Sequence, residues 1–202
     1  MIAATVAGVA VAVDDVDMRE ARLRDGPLAS RLPMAGTGEG RQLRRWLTQL
    51  IVTERVVAAE SAALGLTGSG APAEAELLPD ATARLEIGSI AAAALAEPVA
   101  RVLFARVTAA VDVSDDDIAD YHARNPLRFA APEPGRAGWH GPAATAPPLE
   151  QVRPLIADHL RAAARRRAFR AWLDARRAAL VRLAPGYEHP GDPRQPDNTH
   201  RH

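Results

Sequence analysis

The feature that most constrains the fold of this 202-residue chain is the junction between two strongly helical segments. The first covers residues 113–129 and reads VSDDDIADYHARNPLRF, in which the Asn-Pro step ends the helix because proline forces the preceding residue out of helical geometry. The second begins at Leu149 with LEQVRPLIADHLRAAARRRAFRAWLDARR and is the longest helical pattern in the chain. Only the Gly/Pro-rich residues 130–148, which show no hydrophobic periodicity, lie between them. A linker, and not a folded domain, therefore joins the two helices.

The composition favours a helical fold and excludes several classes of function. Hydrophobic residues make up 48% of the chain but aromatic residues only 4%, so a core must be built mainly from Ala, Val, Leu and Ile. An Ala-rich chain with charged surface positions favours helix over sheet. The formal net charge of zero argues against a general nucleic-acid-binding protein, which is usually basic. Since the chain contains no cysteine, disulfides and thiol catalysis are excluded.

The apolar N-terminal residues, MIAATVAGVAVAV, are predicted to form a β-hairpin. Gly8 suits a tight turn, and the small and β-branched residues around it suit two short strands, Ala4–Ala7 and Val9–Val13. No Arg or Lys precedes this segment and two aspartates follow it, which is not typical of an export signal. No apolar run approaches the roughly eighteen residues of a membrane span. We therefore expect a cytoplasmic protein without a membrane span.

Further helices are predicted from hydrophobic periodicity and capping residues. Ser114 followed by Asp117 is typical of a capping box, and Pro98 is expected to separate two helices because proline is tolerated in a first turn but not in a helix interior. Asp14 or Asp15 is expected to cap the first helix, and Pro154 to kink the last helix or mark its true start. Loops are predicted at 25–40 and 67–79. The predicted helices cover about 14–24, Arg41–Leu64, Ala81–Ala96, Val99–Ala109, 114–124 and Leu149–Leu183.

Several of these segments resemble bacterial foldases of the SurA/PrsA type, which carry a parvulin prolyl isomerase domain. The resemblance rests on TVAGVAVAVDDVD, LRRWLTQLIVTERVVAAESAALGL, VSDDDIADYHARNPLRF and LEQVRPLIADHL, and it covers about residues 3–129 and 149–182. The chain departs from that family at Ala7, where those proteins have asparagine. The resemblance implies a mainly α fold: a SurA-like helical peptide-binding domain of the trigger factor/SurA type, with a short N-terminal β-hairpin and a long C-terminal helix that closes the core.

The same resemblance implies a domain organisation from which the isomerase is absent. It assigns 1–129 to the N-terminal helical region, 130–148 to a linker in place of the parvulin domain, 149–184 to the C-terminal helix, and 185–202 to an irregular tail. A parvulin site needs a four-stranded sheet with inward histidines, whereas the linker offers only His140. We therefore expect a chaperone or peptide-binding protein without prolyl isomerase activity.

Aromatic residues are candidate contacts for a peptide or a small ligand. Trp139 and His140 lie in a Gly-flanked part of the linker, AGWHG, and Tyr121 lies on the helix that precedes it. Trp46 and Trp172 stand at helical spacing, which also suits a place in the core. The expected partners are unfolded or partner protein segments, or a small-molecule substrate, and the sequence leaves a homodimer open.

The Pro-rich tail contains the densest group of candidate metal ligands. His189, Asp192, His200 and His202 combine imidazole and carboxylate groups, which suit a divalent transition metal such as Zn, Ni, Cu or Fe. A solvated tail without a function explains the same residues, since no rigid element holds them. The alternative function is therefore that of a small metal-dependent enzyme or accessory protein of a bacterial secondary metabolic pathway.

Overall fold

The N-terminal hairpin forms as predicted. In the computed structural model, which describes residues 1–130 and 146–192, strands β1 (Ile2–Val6) and β2 (Val9–Ala12) pair antiparallel. Ala7 and Gly8 connect them with φ angles of 49° and 82°, the positive values that a two-residue turn needs to follow the twist of the strands. The N–H of Ala7 donates to the carbonyl of Leu180 at 2.9 Å, so the C-terminal part of the chain also holds this turn.

Two helices follow the hairpin and pack against the sheet. Helix α1 (Val13–Arg24) has Ala12 as its N-cap, so the prediction of Asp14 or Asp15 is wrong. Asp15 still caps the first turn, because its carboxylate accepts the N–H of Ala12 at 3.0 Å. After a 3₁₀ turn at Ala29–Arg31, helix α2 (Gly38–Ala63) begins earlier than predicted, since the hydroxyl of Thr37 accepts the N–H of Gly40 at 3.1 Å.

Four short helices occupy the next stretch of the chain. The prediction of one helix over Ala81–Ala96 is wrong, because Gly88 adopts a φ of 89° and interrupts it. Pro98 stands in the first turn of the last of these helices, as predicted. The four helices are α3 (Glu74–Leu77), which falls in the predicted loop, α4 (Ala81–Ile87), α5 (Ser89–Ala94) and α6 (Pro98–Val107).

Helices α7 (Asp115–Arg124) and α8 (Leu149–Leu180) flank the junction. The predicted capping box is confirmed: the hydroxyl of Ser114 accepts the N–H of Asp117 at 3.1 Å, and the carboxylate of Asp117 accepts the N–H of Ser114 at 3.1 Å. Pro154 lies inside α8 and does not mark its start. The 32 residues of α8 span about 48 Å at the usual rise of a helix, which is long enough to reach two separate parts of the molecule.

The end of α8 corrects the prediction of a helix that continues to Leu183. The helix stops at Leu180, and strand β3 (Val181–Leu183) pairs antiparallel with β1, so the sheet has the order β2-β1-β3. The N–H of Ala184 donates to the carbonyl of Ala3 at 2.9 Å. Without β3, this side of β1 would present unpaired backbone groups, and pairing them favours a strand over further helix.

The protein is mainly helical, as predicted, and its hydrophobic residues form two clusters. The main core lies between the sheet and the helices, where α8 contributes Phe169 and Leu173, which are 0% and 3% exposed. A smaller cluster of Ile118, Val152 and Ile156 joins α7 to the first part of α8. We call this second unit, α7 with residues 149–160, the arm. Helix α8 thus belongs to both units, with residues 149–160 in the arm and the rest of the helix in the main unit.

Candidate functional site

The two described tryptophans lie against the main core. Trp46 and Trp172 are both half-buried and pack on that cluster. The ring of Trp172 stacks on Phe169, with ring centroids 5.7 Å apart and an interplanar angle of 25°. Their helical spacing is therefore explained by core packing, and the structure does not bring these two rings to a binding surface that they share with Tyr121. Trp139 and His140 lie outside the described residues.

Tyr121 lies on the arm in a group of three rings. Its ring centroid is 6.4 Å from that of Phe129 and 5.4 Å from that of His159, and the last two rings are 6.0 Å apart. All three side chains are half-buried. Tyr121 and Phe129 pack against the small cluster of Ile118, Val152 and Ile156, and His159 joins them through its ring contacts.

The predicted metal ligands of the tail are only in part described. Among residues 1–130 and 146–192, no group of three or more His, Cys, Asp or Glu side chains is arranged to hold a metal ion. The Nδ1 atom of His189 accepts the N–H of Gly191 at 3.0 Å, which occupies one of its two ring nitrogens. His200 and His202 lie outside the described residues, so the predicted metal site of His189, Asp192, His200 and His202 stays a prediction.

His189 instead lines a cleft of about 190 Å³ beside α8. The turn between α4 and α5 forms one wall, the outward face of α8 forms the second, and the start of the tail forms the third. We call this space the arginine cleft. Its lining residues are Ile87, Gly88, Ser89, Ile90, Ala91, Arg170, Leu173, Asp174, Arg177 and His189.

A polar network that reaches into the protein interior positions Arg177. The guanidinium of Arg177 donates to the side-chain oxygen of Gln49, which is 1% exposed on α2. The amide nitrogen of Gln49 in turn donates to the carbonyl of Tyr187 at 3.0 Å. One buried side chain thus links α2, α8 and the tail, and it holds the tail where His189 can form a wall of the arginine cleft.

The arginines of the cleft differ from their neighbours in their partners. Arg166 pairs with the carboxylate of Glu86 at 2.7 Å, whereas Arg170 donates to the carbonyl of Glu86 at 3.3 Å. In residues 1–130 and 146–192, neither Arg170 nor Arg177 forms an ion pair with a carboxylate. Burial lowers the pKa of the Arg177 guanidinium. The negative charge of Asp174, on the preceding turn of α8, opposes this lowering only in part.

The charge of Arg177 also affects the imidazole at the third wall. Partial burial lowers the pKa of His189, and the positive charge of Arg177 lowers it further, while Asp192 and Asp174 act in the opposite direction. The arginine cleft therefore favours a negatively charged group over an additional cation.

A second depression lies beside the outer strand of the sheet. Strand β2 stands at the edge of the described sheet, and Val9 on it is 62% exposed. We call this depression, of about 190 Å³, the β2 groove. It is lined mainly by apolar side chains of the hairpin and of α2: Val6, Ala7, Val9, Ala10, Val11, Arg55, Ala58 and Ala59.

The sequence carried an incomplete signal for the arginine cleft. Arg170, Asp174 and Arg177 follow one another at helical spacing, so their common face could have been found. The opposite wall could not, because it exists only where Gly88 separates α4 from α5.

Comparison with known proteins identifies one short segment. Residues 2–39 match the model of a family of unknown function, DUF7158, and they comprise the hairpin, α1 and the loop up to the start of α2. No curated protein and no solved structure matches the chain. Within the part that the structure describes, no helix is both long enough and apolar enough to cross a membrane.

Proposed function

We propose that this protein is a SurA-like chaperone, or a peptide-binding protein, that holds apolar segments of other proteins and has no prolyl isomerase activity. The observation that carries the proposal is the β2 groove, in which an edge strand and an apolar depression lie side by side. We further propose that it works in the cytoplasm, the location that its sequence predicts and that cell fractionation tests.

The order of the elements supports the SurA-like part of the proposal. A hairpin, a long second helix and an arm come before the junction, and the long α8 after it packs both on the arm and on the main core. This is the arrangement that the resemblance implies for a foldase from which the isomerase domain is absent. The proposal rests on the resemblance together with this order, since a scaffold alone does not define a function.

The β2 groove offers both kinds of interaction that an extended peptide needs. In the described sheet, β2 has a neighbouring strand on one side only, so the backbone N–H and C=O groups of its other side can pair with a peptide strand. The neighbouring apolar side chains, Val9 above all, provide a surface for the alternate side chains of such a strand. Backbone pairing does not depend on the peptide sequence, which suits a protein that holds many clients.

The test combines an aggregating client protein with one variant in the groove. We expect the wild-type protein to suppress aggregation of the client at equimolar ratio and to bind an extended apolar peptide. Val9→Lys should weaken both effects about tenfold, because it places a charge on the apolar surface, and that charge would lose its hydration when a peptide binds there. Leu85→Lys is the matched control, since Leu85 is 80% exposed and lies outside the groove. If the wild-type protein neither suppresses aggregation nor binds peptide, the proposal is wrong.

The alternative function, that of a metal-dependent enzyme or accessory protein, has its own test. Metal analysis of the untagged protein, before and after truncation beyond Pro185, measures whether the tail holds an ion. Stoichiometric metal that the truncation removes would replace the proposal of a binding protein. A metal-free protein that still suppresses aggregation would support the proposal of a peptide-binding protein.

A further inference from the structure

The two arginines of the arginine cleft retain most of their hydrogen-bonding capacity. A guanidinium carries five N–H donors in a planar fork. Arg177 uses one of its terminal nitrogens for Gln49, and Arg170 uses one for the carbonyl of Glu86. The remaining N–H groups can donate to a planar oxyanion in the bidentate geometry that arginine forms with carboxylates and phosphates.

The charges on α8 select the kind of anion. Arg170 and Arg177 each carry one positive charge and Asp174 carries one negative charge, so the three side chains sum to a single positive charge. A group with one negative charge neutralises that excess, whereas a phosphate dianion would leave a net negative charge next to Asp174. The charge balance therefore favours a carboxylate.

The walls of the cleft expose more polar than apolar surface. Ile87, Ile90 and Leu173 are 1%, 8% and 3% exposed, and they line the space beside the arginines. Such nearly buried side chains offer little contact surface to an apolar group, so the charged hydrogen bonds of the arginines must supply most of the affinity. The volume of about 190 Å³ limits the ligand to a small carboxylic acid or a single C-terminal residue.

We propose that the arginine cleft binds a small monocarboxylate, with Arg177 and Arg170 on the carboxylate. Such a ligand is either a free small acid or the C-terminal residue of a peptide. The inference goes beyond the proposed function and does not depend on it, because the arginine cleft and the β2 groove share no residue. A negative result for carboxylate binding in the arginine cleft therefore does not contradict peptide binding in the β2 groove, and the reverse also holds.

The first experiment compares two probes that differ in a single charge. N-acetyl-leucine is a small acid with a single carboxylate, and N-acetyl-leucinamide is its uncharged counterpart. We expect isothermal titration calorimetry to show saturable binding of the acid, with the amide binding at least about tenfold more weakly, because the amide cannot form the charged hydrogen bonds. Equal binding of the two probes, or no binding of the acid, overturns the proposal.

Variants locate the binding. Arg177→Gln and Arg170→Gln should each weaken binding of the acid about tenfold or more and leave binding of the amide unchanged. Arg170 is exposed, so its variant remains informative if loss of the Arg177 contact to Gln49 impairs folding. Arg167→Gln is the matched control, because it removes the same charge from the exposed face of α8 but does not line the cleft. Equal weakening by Arg167→Gln would show a general charge effect and would overturn the assigned site.

Two further binding experiments identify the source of the carboxylate and test for a phosphate site. A short peptide that ends in leucine is compared in its free-acid and C-terminally amidated forms. Tighter binding of the free-acid peptide than of N-acetyl-leucine supports a peptide C-terminus, and the reverse order supports a free acid. If inorganic phosphate binds more tightly than N-acetyl-leucine and displaces it, the carboxylate proposal is wrong.

Discussion

At the scale of single residues, Glu20 is the carboxylate that joins α1 to α2. Its side chain is 9% exposed and accepts hydrogen bonds from Arg24 at 2.6 Å and from Arg44 at 2.7 Å. Burial raises the pKa of Glu20, but the hydrogen bonds and charges of the two arginines outweigh that effect and lower the pKa below its ordinary value of 4.5. The ionised form of Glu20 is therefore favoured in the folded protein.

Replacement of this carboxylate by a neutral amide is expected to destabilise the protein. Glu20→Gln should lower the free energy of unfolding at pH 7 by about 2 kcal/mol. The value is below that for a fully buried pair because Arg24 and Arg44 are 29% and 31% exposed and remain partly solvated. Urea denaturation followed by circular dichroism measures the difference.

The pH dependence of this difference tests its electrostatic origin. Because the pKa of Glu20 is lower in the folded than in the unfolded state, its contribution is complete above the ordinary value of 4.5 and is lost as the pH falls below it. The gap between wild type and Glu20→Gln should therefore close in acid. The matched control is Asp115→Asn, which removes an 85% exposed carboxylate paired with Arg153 and should change stability little. A gap that stays constant with pH would contradict the assignment.

At the scale of elements, β3 closes the sheet with only three residues. The N–H of Ala184, immediately after this strand, donates to the carbonyl of Ala3. Ala184→Pro removes that donor and should lower the free energy of unfolding by about 1–2 kcal/mol, since a buried carbonyl loses its partner. Ala184→Gly retains the donor and serves as the control. Equal stability of the two variants in thermal denaturation would show that this hydrogen bond does not hold β3.

Strand β3 also shows which parts of this fold can be predicted from the sequence and which cannot. The hairpin, α6 and α7 were predictable because local residues define them: Gly8 at a turn, Pro98 at a first turn and Ser114 at a cap. Strand β3 was not, because it is too short to show alternation and its partner β1 lies at the other end of the sequence. Tertiary pairing there overrides the helical propensity that continues from α8.

For the candidate site residues, too, local sequence patterns predict some features, whereas others depend on tertiary contacts. The helical spacing of Trp46 and Trp172 correctly indicated that core packing could explain both rings. Arg170 and Arg177 were visible as part of an arginine-rich helix, but nothing local distinguished them from Arg166, whose charge Glu86 neutralises. Only the folded arrangement shows which arginines have carboxylate partners, because those partners lie on elements that are distant in sequence.

At the scale of the whole molecule, the two hydrophobic clusters should differ in stability. The main core contains twenty-one buried residues, whereas only Ile118, Val152 and Ile156 are buried in the arm. One ion pair lies within the arm, Arg153 with Asp115 at 2.7 Å, and a second, Arg161 with Asp112 at 3.0 Å, lies next to it in the sequence. Exposed pairs of this kind add little stability, so the arm is expected to open before the main core does.

Hydrogen exchange measured by mass spectrometry tests this difference along the single helix α8. Amides of α7 and of residues 149–160 should exchange faster than those of α2 and of the second half of α8, because opening of the arm leaves the main core intact. Ile156→Ala should speed exchange in the arm alone, whereas Phe169→Ala, at a fully buried position of the main core, should lower protection throughout. If Ile156→Ala speeds exchange equally in α2, the two clusters unfold as one cooperative unit. The arm is then not a separate element that could move while the rest of the protein holds a ligand.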